Sequence, residues 1–124
     1  MSRALLRLVL LIVAFGLGTY AFGWWAVPIV ALAWGAMNGA ARRVAVRAGA
    51  AAALAWALLL LAPAVIRDPV VSFGAKLAGA MQLPVWALWA AELVFPFLVA
   101  WSAALLGSAV HGVPPARDSA ARAQ

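Results

Sequence analysis

The 124-residue chain has no cysteine, which excludes disulfides, thiolate metal sites and a cysteine nucleophile. One histidine and three acids are too few to assemble a metal cluster or a nucleophile–base–acid relay, so no metal, no cofactor and no catalytic residue is expected. Charge of either sign is scarce. Charged residues make up 10% of the chain, against about a quarter in a soluble globular domain. A soluble fold of this length could not cover the apolar remainder.

That remainder is large: 69% of residues are hydrophobic and the mean hydropathy is +1.06. The bilayer is therefore expected to be the solvent for one small domain. A net charge of +6 would suggest nucleic acid in a soluble protein. Here the basic residues sit at the ends of apolar runs, with no aromatic-interleaved polar face, so they read as topology signals and nucleic acid is set aside.

The first apolar run covers residues 4–22, with Arg3 and Arg7 at its start, and is long enough for hydrocarbon about 30 Å thick. Thr19-Tyr20-Ala21 would suit a signal-peptide cleavage site, but Arg7 interrupts the apolar region and a second apolar run follows at once. Gly23-Trp24-Trp25 reads as a turn at the water boundary. A second span is expected over 24–41, with Pro28 in its first turn and Gly35 and Gly39 at a GxxxG spacing that suits close helix packing. Arg42, Arg43 and Arg47 read as a short basic loop. A third span over 48–66 presents Ala48, Ala52 and Ala55 as a smooth packing face, carries Pro63 in its last turn, and ends at Arg67-Asp68-Pro69. Residues 70–83 read as an amphipathic segment lying on the surface or dipping back in. Phe73, Leu77, Ala80 and Met81 share one face, with Ser72, Lys76 and Gln82 elsewhere. The fourth span covers 84–110, and Pro114-Pro115 stops any helix within a flexible tail, 112–124.

The fold class expected is an all-α integral membrane protein. Residues 1–111 form four transmembrane helices in an antiparallel bundle, with the amphipathic segment on the outer side between the third and fourth. Arg3, Arg7, Arg42, Arg43, Arg47, Arg117 and Arg122 then fall on one side, and Arg67 and Lys76 on the other. This puts both termini in the cytoplasm. Trp24, Trp25, Trp86 and Trp89 anchor the outer boundary. Richness in Ala, Gly, Val and Arg suggests a GC-rich bacterial genome, hence the inner membrane.

Glu92 is the one acid inside an apolar run. A carboxylate near the bilayer centre costs about 2.5 kcal/mol or more, so it is neutral, paired or beside water. At about 1.5 Å per residue, Trp34 and Trp56 lie about 15 Å down their helices and Glu92 about 12 Å down its own, within one layer. Three readings of Glu92 follow. It hydrogen-bonds as a neutral group to a Trp indole, to Asn38 or to a carbonyl freed at Pro96. It pairs with Lys76 or Arg67. Or it binds a proton or cation, with Trp34 and Trp56 supplying aromatic faces. Asp68 and Asp118 fall outside the spans, which counts against a proton relay. Pro96 is expected to kink the fourth helix by removing the bond to the Glu92 carbonyl. Asn38 reads as a helix-end hydrogen-bonder, and His111 as a partner for a helix C-terminus.

Two functions from different classes are expected. The first is an accessory or structural membrane component without catalytic activity. The alternative is a small oligomeric transporter of protons or small cationic compounds, with Glu92 as the coupling carboxyl. The expected partners are the bilayer, anionic headgroups met by the arginines as ordinary anchoring, and a homo-oligomer or larger membrane complex.

Overall fold

The structure is a computed structural model that describes residues 2–39, 42–66 and 69–111. Every regular element among them is helical: α1 (Arg3–Phe22), a 3-10 turn (Gly23–Trp25), α2 (Ala26–Asn38), α3 (Arg42–Ile66), α4 (Pro69–Ala80) and α5 (Val85–His111). Three stretches are long and apolar enough to cross a membrane: Arg3–Asn38, Arg42–Pro63 and Val85–Val110.

The boundaries follow from local chemistry. The Ser2 hydroxyl accepts from the Leu5 N–H at 3.3 Å, closing the N-terminus of α1. Gly23 ends α1 at φ 69, where a side chain would be strained, and donates its N–H to the Thr19 carbonyl. Gly39 ends α2 the same way, at φ 74 with its N–H on the Gly35 carbonyl at 3.1 Å. After α4 the left-handed residue is Gln82, at φ 56. Bonds from Gln82 N–H to the Gly79 carbonyl (3.1 Å) and from Leu83 N–H to the Ala78 carbonyl (2.9 Å) complete a Schellman closure there.

The stretch Arg3–Asn38 is not one rod. Gly18 packs on Ala26 and Val30, whereas a straight helix would hold residues 18 and 30 about 18 Å apart. The chain doubles back at Gly23, and Trp34 and Asn38 of α2 return to line a groove with Ser2 and Arg3 of α1. α3 runs parallel to α1, with Arg47 beside that same groove and Leu58 and Leu59 beside Tyr20 at the far end. α5 runs antiparallel to α3, Gly49 facing Phe97 and Trp56 near Glu92. It runs parallel to α2, Trp24 near Glu92 and Gly35 against Ala104. α2 and α3 touch each other, α1 and α5 lie on opposite sides of that pair, and α4 rests on α3 and α5.

The interior is built from small residues. Ala31, Ala45, Ala48, Ala51, Ala52, Ala55, Ala100, Ala103 and Ala104 are buried, and the largest fully buried side chains are Phe15 and Pro96. Leu10, Leu17, Leu58 and Leu98 lie outside. Lipid is as apolar as leucine, so helices in a bilayer associate through close backbone approach instead of by hiding large side chains. The tightest approach joins α2 to α5. A Cβ on Gly35 would collide with the Ala104 carbonyl, and one on Gly107 with the Leu32 carbonyl.

Several expectations are corrected. Arg42, Arg43 and Arg47 are not a loop: they open α3, which begins at Arg42 and not at 48. α2 ends at Asn38 instead of 41, because Gly39 breaks it with positive φ. Gly39 therefore serves as a helix stop, and it is buried there. Residues 70–83, expected as an amphipathic segment, are largely the helix α4, whose inward face is the small pair Gly74 and Ala78. Gly74 sits on the Trp89 ring, while Phe73, Leu77 and Met81 stay exposed. The expectations placed on Ala40, Ala41, Arg67, Asp68, the His111 side chain and residues 112–124 lie outside the described residues.

Candidate functional site

Glu92 is half-buried on α5 and lines a groove of about 490 Å³ with Trp24, Trp56, Leu88, Ala91 and Phe95. Three elements build it. The Gly23–Trp25 turn supplies Trp24, whose ring stacks on Trp25 with centroids 4.1 Å apart and planes inclined by 27°. α3 supplies Trp56, held level with Glu92 because Gly49, two turns earlier, accepts the Phe97 ring at its bare Cα. α5 supplies the rest. Pro96, fully buried one turn beyond Glu92, has no N–H for the Glu92 carbonyl, yet α5 continues through it.

Among the described residues the Glu92 carboxyl makes no hydrogen bond and no ion pair. Lys76 is exposed on α4 and not paired with it. Asn38 is not a partner either: its Nδ2 donates to the Trp34 carbonyl at 2.9 Å, at the other end of the bundle. The Trp56 indole Nε1 is buried without an acceptor. A carboxyl and aromatic rings lining one groove are a combination that can attract a cation, by charge and by ring quadrupoles.

Trp34 does not belong to this groove. Its neighbour Gly35 faces Ala104, 12 residues beyond Glu92 along α5, or about 18 Å. Counting depth from a common outer boundary fails because α2 has 13 residues and α5 has 27. α5 starts above the Trp24–Trp25 turn, so Glu92 sits near the level where α2 begins. Trp24, expected only as an anchor beside Trp25, takes the place assigned to Trp34. Trp89 covers Gly74 and faces the apolar side of α5, and Trp86 is exposed. Gly107 was missed, although Ala100, Ala103, Ala104, Gly107 and Ser108 recur at helical spacing and form the buried stripe of α5.

Trp34 instead walls a second groove, of about 450 Å³, with Ser2, Arg3, Arg7, Asn38, Val44 and Arg47. Its indole Nε1 is likewise buried without an acceptor. Among the described residues no three His, Cys, Asp or Glu side chains cluster to hold a metal ion. The chain matches no protein-family model, no curated protein and no solved structure. Its function has to be read from these two grooves and the helices that carry them.

Proposed function

We propose that this is a four-pass protein of a bacterial inner membrane, with both termini cytoplasmic, acting as an accessory or structural component without catalytic activity. One observation carries the four passes. The end of α2 (Trp34, Asn38), the start of α1 (Ser2, Arg3) and the first turns of α3 (Val44, Arg47) line the same groove. A chain that crosses in α1 must therefore return in α2 before α3 starts, and α3 and α5 add two crossings. The 13 residues of α2 span about 20 Å, a shortfall that local thinning of the bilayer accommodates. Gathering Arg3, Arg7 and Arg47 at one end supports a cytoplasmic location for that end. The accessory role is supported by an interior filled with alanine and backbone contacts, which leaves the grooves on the perimeter, open to lipid or to a neighbouring protein.

A second reading, a small oligomeric transporter of protons or cationic compounds, is favoured by the Glu92 groove with Trp24 and Trp56. Purified protein in vesicles under a proton gradient separates the two. The accessory reading expects no uptake of a lipophilic cation above protein-free vesicles, for the wild type and for Glu92→Gln alike. Uptake by the wild type that Glu92→Gln reduces to background would replace it with the transporter reading.

A further inference from the structure

We propose that the groove between the N-terminal ends of α1 and α3 is a built site for the headgroup of one anionic phospholipid. The proposal rests on the membrane reading above and goes beyond general attraction of arginines to a charged surface. Three arginines from two helices line the one groove: Arg3 and Arg7 lie one turn apart on α1, and Arg47 comes from α3. Among the described residues the lining holds no acid to neutralise them. Guanidinium groups bind phosphate oxygens through paired N–H donors, and a basic pocket between membrane helices suits a phosphate-bearing headgroup.

The rest of the lining says that the ligand is an amphiphile. Leu8 and Leu11 continue the wall along α1 beyond Arg7, with Leu5 between the two arginines, and Trp34 closes the other side. A headgroup at Arg3, Arg7 and Arg47 would lay its acyl chain along these leucines. Ser2 and Asn38 add hydroxyl and amide groups to the same lining. Arg42 and Arg43 open the same helix as Arg47 and are exposed, yet do not line the groove. They provide an internal control of equal charge.

The test is native mass spectrometry of the full chain released from micelles holding equal phosphatidylglycerol and phosphatidylcholine with identical acyl chains. Wild type and the R42Q/R43Q pair should each retain one phosphatidylglycerol in preference. R7Q/R47Q should lose that preference by about tenfold or more. R7K/R47K keeps the charge that sets topology but loses the paired donors, and should lose part of the preference. No preference in the wild type, equal loss in both glutamine pairs, or full retention by R7K/R47K overturns the proposal. Displacement of the lipid by inorganic phosphate would assign the site to free phosphate and also overturn it. Alkaline carbonate extraction of the same proteins checks membrane residence separately, so failure of the lipid site is distinguishable from failure of the membrane reading.

Discussion

Alanine at Gly35 or at Gly107 destabilises the bundle by about 3 kcal/mol or more each, because the added methyl has nowhere to go. At Gly35 the new Cβ meets the Ala104 backbone, with its carbonyl carbon at 2.8 Å and Cα at 2.9 Å. At Gly107 it meets the Leu32 carbonyl carbon at 2.9 Å and the Ala36 nitrogen at 3.0 Å. Backbone on both sides cannot swing aside, so α2 and α5 must separate and lose contact along their whole crossing. Gly49→Ala should cost less, about 1–2 kcal/mol, since its nearest obstacle is the Phe97 ring at 2.9 Å, which can turn, and the only backbone atom in the way is the Phe97 carbonyl oxygen at 3.0 Å. Gly16 and Gly79 have nothing within 4 Å of the added carbon. Alanine there should be neutral or stabilise by about 0.5–1 kcal/mol through helix propensity. Titrating each variant from mild detergent into dodecyl sulfate, with helix content as the readout, orders the series. Equal tolerance at Gly107 and Gly16 would contradict the α2–α5 crossing.

Leu98→Arg is expected to reduce membrane integration severely, although Leu98 is 50% exposed. On a soluble protein an exposed leucine replaced by a charged residue changes stability by about 0.5 kcal/mol or less. Leu98 lies midway along α5 (Val85–His111), where exposure means contact with hydrocarbon. Arginine at a helix centre costs about 3 kcal/mol there, which is roughly a hundredfold in the equilibrium between inserted and uninserted chain. Leu10→Arg should be milder, since Leu10 follows Arg7 by one turn and its guanidinium can reach the same boundary. Carbonate-resistant membrane content of the two variants measures both effects. Full integration of Leu98→Arg would place that face of α5 in water and remove lipid as the solvent of the fold.

Much of the architecture is legible in the amino-acid order because lipid imposes simple rules. Long apolar runs with arginine at their ends mark helices, and Gly23-Trp24-Trp25 marks a turn at an interface. What cannot be read directly is the vertical offset between helices. Helix length gives depth along one axis, but the offset of α2 against α5 is set by where Gly35 and Gly107 let backbones meet. That offset moves Trp34 to the arginine end and brings Trp24 to Glu92. The same limit applies to α4. Its large apolar residues mark an amphipathic segment, but the face that packs on the bundle is the small pair Gly74 and Ala78. The start of α3 is hidden in the sequence for a different reason. Arginine marks an interface by charge but is also a good helix former, so Arg42 to Arg47 can anchor to headgroups while already helical.

The number of crossings is tested most directly by labelling single cysteines, which the cysteine-free chain makes unambiguous. Cysteines at Ser2, Arg43, Ala75 and Val110, all exposed positions, would be offered a membrane-impermeant maleimide in vesicles of known sidedness. The four-pass account predicts that Ser2→Cys, Arg43→Cys and Val110→Cys react from one face and Ala75→Cys from the other. Reaction of Ser2→Cys and Arg43→Cys from opposite faces would mean that Arg3–Asn38 crosses only once, and would contradict it.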